Sequence, residues 1–303
     1  MTEPMTVYGE AVVHLLSAVR PSSDLALGRV DRTVGGPGAA VSLQLAKLGH
    51  PPRFVGVTGD DTAGAFLRGE LQQAGVDCTA LATVGRTTHV MAVVEGGEVA
   101  LAADPGASWR TGPWYRQPPA PGGDAYITGF PEMVPAIQSL GRRGHRMTVD
   151  IGFVPLLAQP ARLLEHVAAV APATGVCVVS GAALSRRTRV AIARICFDNG
   201  AAVVLTTLAG EGVLVSTPQA SRHLPGRPAR VTDPLCAGDA FVAGYLCAVR
   251  EGSDPFAAAE FGQVVAATKI GQFGRFPDRA EVDTARQAEG DGRRWPTATA
   301  ASG

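Results

Sequence analysis

Asp239 stands three residues after Cys236 in the stretch VTDPLCAGDAFVAGYLCAVREG, residues 231–252. Turn formers precede Ala237, and Phe241, Tyr245, Leu246 and Val249 then recur at helical spacing, so a loop enters a helix near Gly238. The first turn of a helix carries backbone N–H groups with no partner and the positive end of the helix dipole. Cys236, Ala237 and Gly238 are small enough to let a phosphate oxygen reach those groups, which makes the loop an anion site. Asp239 reads there in two ways, as a capping charge or as a general base beside a bound phosphate. The positive helix end also predicts a lowered thiol pKa, hence a reactive Cys236.

Three further stretches carry residues that could do chemistry. Glu10 and His14 interrupt the apolar run MTVYGEAVVHLLSAV, residues 5–19, which is expected as one strand. His14 is either a half-exposed strand histidine or a ligand contact. Gly35, Gly36 and Gly38 precede a helical face of Val41, Leu45 and Leu48 that Gly49 and Pro51 end. Glycines before a helix are turn punctuation or a loop closing on a ligand. In TLAGEGVLV, Thr207, Gly210 and Gly212 make a tight strand-to-strand turn, a bare hairpin on this evidence alone.

The elements that would position these residues alternate. Strands are expected at 53–57, 124–128, 146–151, 176–180 and 201–206, with amphipathic helices such as 185–199 between them, the pattern of a parallel sheet covered on both faces. Asp150 ends one of these strands, at the edge where open sheets bind ligands. After the strand at 53–57, Asp61 or Thr62 caps a helix that buries Phe66, Leu67 and Leu71. Residues 84–103 read as a hairpin around Glu95, Gly96 and Gly97, and with 15–34 they form a small accessory sheet. Residues 109–123, with four prolines and two tryptophans, read as a surface crossing, and 216–230 as a loop. A further helix is expected over 253–273, Phe273, Gly274 and Pro277 close the fold, and a disordered tail follows from 288 to 303.

A chain of 303 residues and 31.2 kDa with 46% hydrophobic residues suits one large α/β domain or two smaller ones, and one domain over 1–287 is expected. Lys plus Arg and Asp plus Glu both number 27, and zero formal charge argues against binding nucleic acid or a membrane surface by bulk electrostatics. A small-molecule ligand is expected instead. The five cysteines are odd in number and form no CxxC pair, which argues against a disulfide framework or a structural zinc site and fits a reducing cytoplasm. The first twenty residues lack the basic flank of a signal peptide, and no stretch has eighteen uninterrupted apolar residues.

The loop Asp233, Pro234, Leu235, Cys236, Ala237, Gly238, Asp239, followed by Ala243 and Gly244, resembles the second signature of the ribokinase (PfkB) family of sugar and nucleoside kinases. The stretch GGPGAAVSLQLAKLG is similar to that family's first signature, and GEAVVHLL to its fructokinase branch. Gly59, Asp60, Asp61, Gly64, the run 75–77, and AADPGAS at 102–108 are also family-typical. The resemblance spans roughly residues 5–285. It implies a ribokinase-like central, mostly parallel sheet flanked by helices, with a small β-sheet lid, and ATP-dependent phosphorylation of a hydroxyl on a sugar-like or nucleoside-like molecule. Carried over, Asp239 is the base, Cys236, Ala237 and Gly238 the anion hole, and Thr207, Gly210 and Gly212 the nucleotide loop. His14, Gly35, Gly36 and Ala40 face the acceptor. ATP and Mg²⁺ are the implied cofactors, and the family admits a monovalent cation and a homodimer through the lid sheet.

The chain departs from the family at named positions. Cys236 stands where Gly, Ala or Ser is usual, His14 where an Asp holds sugar hydroxyls, Ala40 where an Asn does, and Ala209 where the nucleotide loop begins with Gly. Of an Asp, Asn and Arg trio near 150, only Asp150 is visible. The Asn and Glu pair tied to hydrated magnesium should follow the strand at 176–180, but the chain reads Ser180, Gly181, Ala182, Ala183. Magnesium is then expected on phosphates, water and Asp233. A ligand-binding or regulatory protein that has lost turnover is the rival expectation. Neither a Walker loop nor GxGxxG occurs, which leaves residues 236–239 as the phosphate site.

Overall fold

The computed structural model describes residues 4–18, 28–95, 98–107, 117–119, 124–152 and 158–290. The strands are β1 (Thr6–Tyr8), β2 (Val12–Ser17), β3 (Val30–Gly35), β4 (Arg53–Thr58), β5 (Leu81–Thr83), β6 (Thr88–Glu95), β7 (Glu98–Asp104), β8 (Ala125–Thr128), β9 (Met147–Ile151), β10 (Thr174–Ser180), β11 (Val203–Thr207), β12 (Gly212–Ser216) and β13 (Ser221–Pro225). The helices are α1 (Pro37–Lys47), α2 (Thr62–Gln73), α3 (Val134–Gly141), α4 (Pro160–Val170), α5 (Arg186–Asp198), α6 (Ala237–Arg250), α7 (Pro255–Ile270) and α8 (Arg279–Gly290).

Nine strands form one sheet in the order β13-β12-β11-β10-β9-β8-β1-β4-β5, parallel except for β12 and β13. Strand order reverses at β1, whose Val7 pairs with Phe54 of β4 on one side and with Tyr126 of β8 on the other. At such a switch the loops leaving neighbouring strands diverge and open a crevice at the carboxyl edge. Glu10, Thr128 and Asp150 all lie at that edge. The short strands are apolar throughout because helices cover both faces; Val7, Phe54, Val55, Ile127, Val149 and Val179 are fully buried.

The run 5–19 is two strands in two sheets, not one. The break falls at Gly9, where the chain meets the start of α1 so closely that a Cβ on Gly9 would lie 2.8 Å from Gly38 Cα. Only glycine at both positions permits that approach, and the chain turns there into the second sheet. That sheet, β3-β2-β6-β7, is the accessory sheet expected from 15–34 and 84–103; residues 19–27 and the hairpin glycines Gly96 and Gly97 lie outside the described residues. Its inner face, with Leu16, Ala92 and Val94, packs on Leu235 and Phe273, so it covers the loop before α6.

Asp61 caps α2 by accepting from the Gly64 N–H at 2.8 Å, and Leu67 and Leu71 are buried with Phe66 packed against them. Such a cap is worth about 1 kcal/mol. Helix α6 packs on α7 and α1. Phe241, Tyr245 and Leu246 are buried as their spacing predicts, whereas Val249 is 41% exposed in the last turn. The segment 216–230 is not all loop, for β13 pairs there with β12. The helix expected over 253–273 ends at Ile270, and α8 continues to Gly290, past the expected start of the tail. Residues 291–303 lie outside the described residues, as does most of the 109–123 tract. Among the described residues, no helix is long and apolar enough to cross a membrane.

Candidate active site

The centre of the site is the join between the 233–236 loop and α6. Cys236 is the N-cap residue and holds a left-handed conformation, φ 56°. A left-handed residue turns successive N–H groups toward one side, the geometry of an anion nest. The N–H of Ala237 folds back onto the Pro234 carbonyl at 3.3 Å, while those of Cys236, Gly238 and Asp239 make no bond among the described residues. Gly238 faces open space: a Cβ there would meet nothing within 4 Å. The available donors are therefore Cys236, Gly238 and Asp239, shifted by one residue from the expected trio of Cys236, Ala237 and Gly238.

Burial pushes the Asp239 carboxyl up to about 6, against the opposing effects of a hydrogen bond from Cys236 and the charge of Lys269. The Cys236 thiol, expected to be lowered by the helix end, is instead pushed well above its ordinary value, first by burial and then by the Asp239 charge. Desolvation and a neighbouring carboxylate outweigh the dipole. The expectation of a reactive thiol is corrected accordingly.

Two more carboxyls share the electrostatic field of Asp239. Burial raises Glu10 to about 8; one oxygen accepts from Thr128 Oγ1 at 3.2 Å and the other, Oε2, has no partner among the described residues. Burial and the Asp239 charge raise Asp150 to about 7, and Tyr126 donates to it at 3.1 Å.

His14 is 8% exposed, so it is no half-exposed strand residue. Its ring lies against Gly35, where a Cβ would stand 2.2 Å from Nε2. Nδ1 is buried without a partner among the described residues, and burial lowers the imidazole to about 4, keeping it neutral. A narrow cleft brings His14 together with Thr33, Asp233, Cys236, Lys269 and Phe276. Gly36 begins α1 at φ 80° beside the Glu10 carbonyl. Ala40, expected to face the acceptor, is fully buried in the main core and does not line that cleft.

The Asp233 carboxylate, expected to help hold magnesium, is committed elsewhere. It accepts from Lys269 Nζ at 2.6 Å and from the N–H groups of Leu235 and Gly274, each at 3.0 Å. After β10, where a metal-binding pair is absent from the sequence, the side chains nearest Gly181 are Thr206, whose Cγ2 lies 2.1 Å from the site of a Cβ, and Arg189, whose Cδ lies at 3.3 Å. The donor set does not fit a magnesium ion held directly by the protein.

Thr207 ends β11 beside Ser180, and Gly181 donates to its carbonyl at 2.8 Å. Gly212 is required by the turn itself, since at φ 102° a Cβ would lie 2.1 Å from the Leu224 carbonyl oxygen. Gly210 is open to solvent, with nothing within 4 Å of a Cβ. Sequence reasoning passed over Lys269. Its signal is composition: it is one of only two lysines in a chain whose other basic residues are arginines.

The family model described as pfkB family carbohydrate kinase matches residues 3–115 and 159–278. The chain is 26% identical over 299 residues to the ribokinase of Haemophilus influenzae, covering 93% of this chain and 98% of the relative. It is 28% identical over 276 residues to a fructokinase of Escherichia coli, covering 81% and 84%. Among solved structures, aminoimidazole riboside kinase from Salmonella enterica, complexed with aminoimidazole riboside and an ATP analogue, superposes with a TM-score of 0.73 at 22% identity, covering 93% of this chain and 99% of that one.

Proposed function

The chain belongs to the pfkB family of carbohydrate kinases, and from that premise we propose that Asp239 is the base of a phosphoryl transfer from ATP to a hydroxyl of a small sugar-like or nucleoside-like molecule. The single observation that carries this reading is a desolvated carboxyl, raised to about 6, in the first turn of a helix whose neighbouring amides are free. A mere capping charge needs no burial and gains nothing from free amides beside it.

The acceptor hydroxyl gives its proton to Asp239 as its oxygen bonds to the γ-phosphorus, and the bond from that phosphorus to the bridging oxygen breaks, releasing ADP. The amides of Cys236, Gly238 and Asp239 hold the negative charge on the transferring group. A base of pKa about 6 is ionised at neutral pH yet still takes a proton readily. His14, Gly35 and Gly36 bound the acceptor side, and Thr207 and Gly210 the nucleotide side. Magnesium, which neutralises phosphate charge when bound with nucleotide, would ride on the phosphates and water.

A second reading, binding without turnover, is favoured by one observation: the metal-pair position holds Ser180 and Ala183, with Arg189 beside Gly181. A panel of pentoses, hexoses and nucleosides with ATP, read by mass spectrometry for a phosphorylated product, decides between the two. A product supports transfer; ATP and acceptor binding without product supports the second reading.

The partner and compartment readings extend the same proposal. The lid exposes Leu15, Met91, Val99 and Leu101, and Val99 and Leu101 lie on its edge strand β7, which supports pairing with a second copy. Light scattering tests it. All five cysteines are free, which supports a reducing cytoplasm.

A further inference from the structure

Lys269 and Asp233 form the one ion pair among the described residues in which both side chains are buried, 3% and 1% exposed. The pair sits at the root of the loop. Asp233 opens it, its backbone N–H and that of Thr232 donate to the Ile270 carbonyl at the end of α7, and Gly274 donates to its carboxylate. Lys269 Nζ also reaches the Asp233 carbonyl at 3.4 Å and lines the same cleft as Cys236. Loop, helix end and closing turn thus meet on one carboxylate.

Burying a carboxylate behind an anion site works against that site. Asp233 is six residues before Asp239, and an uncompensated charge there repels the phosphoryl group that the free amides attract. We infer that Lys269 is a built-in counter-ion for the anion-binding loop, a positioning residue whose ammonium cancels Asp233 so that the amides of Cys236, Gly238 and Asp239 keep a net positive field. The inference rests on the kinase reading above and adds a residue to it. The compact Lys269 ammonium lies between the Asp233 carboxylate, 2.6 Å away, and the Phe276 ring, whose centroid is 5.8 Å from Nζ.

The test compares Lys269→Met with the double variant Lys269→Met, Asp233→Asn, using circular dichroism and melting for the fold and calorimetry with ATP and ADP for the loop. Met leaves the Asp233 charge unbalanced, so ATP affinity falls about ten- to hundredfold and ADP affinity falls less. Asn removes the charge while keeping an oxygen for the Leu235 N–H, so the double variant regains most of the ATP affinity. A single variant that binds ATP as the wild type does overturns the inference. So does a folded double variant no better than the single one, since a purely architectural pair is not repaired by deleting its second charge. If the single variant does not fold, the double one decides by the same ATP measurement, and a double variant that also fails to fold makes the pair a folding element and overturns the role. Failure of the kinase reading is seen in the wild type, as ATP binding without transfer, whereas failure of this inference appears only in the variants.

Discussion

The His14 imidazole lies directly over Gly35, so close that a single methyl group on the glycine would stand 2.2 Å from Nε2. Strand β2 supplies the histidine and β3 the glycine, through the pairing of Val12 with Gly35 and His14 with Thr33. The ring is thereby fixed at the entrance of the cleft, and burial keeps it neutral near pH 7. An anionic group on the acceptor gains no charge attraction from it.

Gly35→Ala should therefore push the ring aside. Overpacking of this kind costs about 1–3 kcal/mol of stability. Loss of one hydrogen bond to the acceptor weakens it by up to about tenfold. Calorimetry is expected to show the acceptor weakened and ATP unaffected. Equal losses for both ligands would remove His14 from the acceptor side.

Ala40→Asn, which the family resemblance suggests would restore a sugar contact, should instead destabilise the protein. Ala40 is fully buried, packed in the main core and away from the cleft. An amide placed there without partners costs about 1–3 kcal/mol. Urea unfolding reads the loss, and titration with ribose or fructose should show no gain. A tighter complex in the variant would mean that α1 turns this face toward the acceptor.

Cys236 should be slow to alkylate at pH 7 to 8, because burial and Asp239 hold it as the thiol. Its hydrogen bond helps keep Asp239 ionised. Cys236→Ala should shift the acid limb of the rate profile upward in pH. An unchanged limb with rapid alkylation would separate the two side chains.

The loop that enters α6 was legible because small residues follow turn formers and then apolar residues recur every three or four positions. The edge strand β13 was not. Its sequence SRHLP is mostly exposed, so no apolar alternation marks it, and Pro225 demotes it further. The run 5–19 misled for the opposite reason, since an apolar stretch gives no sign of passing from one sheet to another and only Gly9 marks the break. A lone lysine near the end of an apolar helix reads as a snorkelling surface charge. That it faces Asp233 depends on the packing of α7 against the loop, a contact across 36 residues that no local pattern encodes.

Raised carboxyls make stability depend on pH. Glu10 titrates at about 8 and Asp150 at about 7 in the folded chain, against 4.5 and 3.8 ordinarily. Between those values the folded state holds protons that the unfolded chain has released, so stability falls as pH rises. His14 and His166, lowered by burial, act in the opposite sense, but only below about their ordinary 6.5. The decline should be clearest from pH 6.5 to 8, at no more than about 1.4 kcal/mol per pH unit for each proton, and should level off above that. Glu10→Gln should flatten it in a melting series. An equally steep decline in that variant would place the titrating group elsewhere.

Asp239→Asn tests the base most directly, because the amide keeps the shape of the carboxylate and loses only its capacity to accept a proton. Removing a general base costs about 10²–10⁴ in rate. Turnover should fall by that factor, while ATP binding holds or strengthens once a negative charge is taken from beside the anion nest. In the wild type the rate should rise with pH through about 6, as Asp239 loses its proton, and then level off. That limb should be absent from the residual rate of the variant. A variant that keeps both the wild-type rate and the limb would assign the proton transfer to another group and return Asp239 to the role of a helix-capping charge.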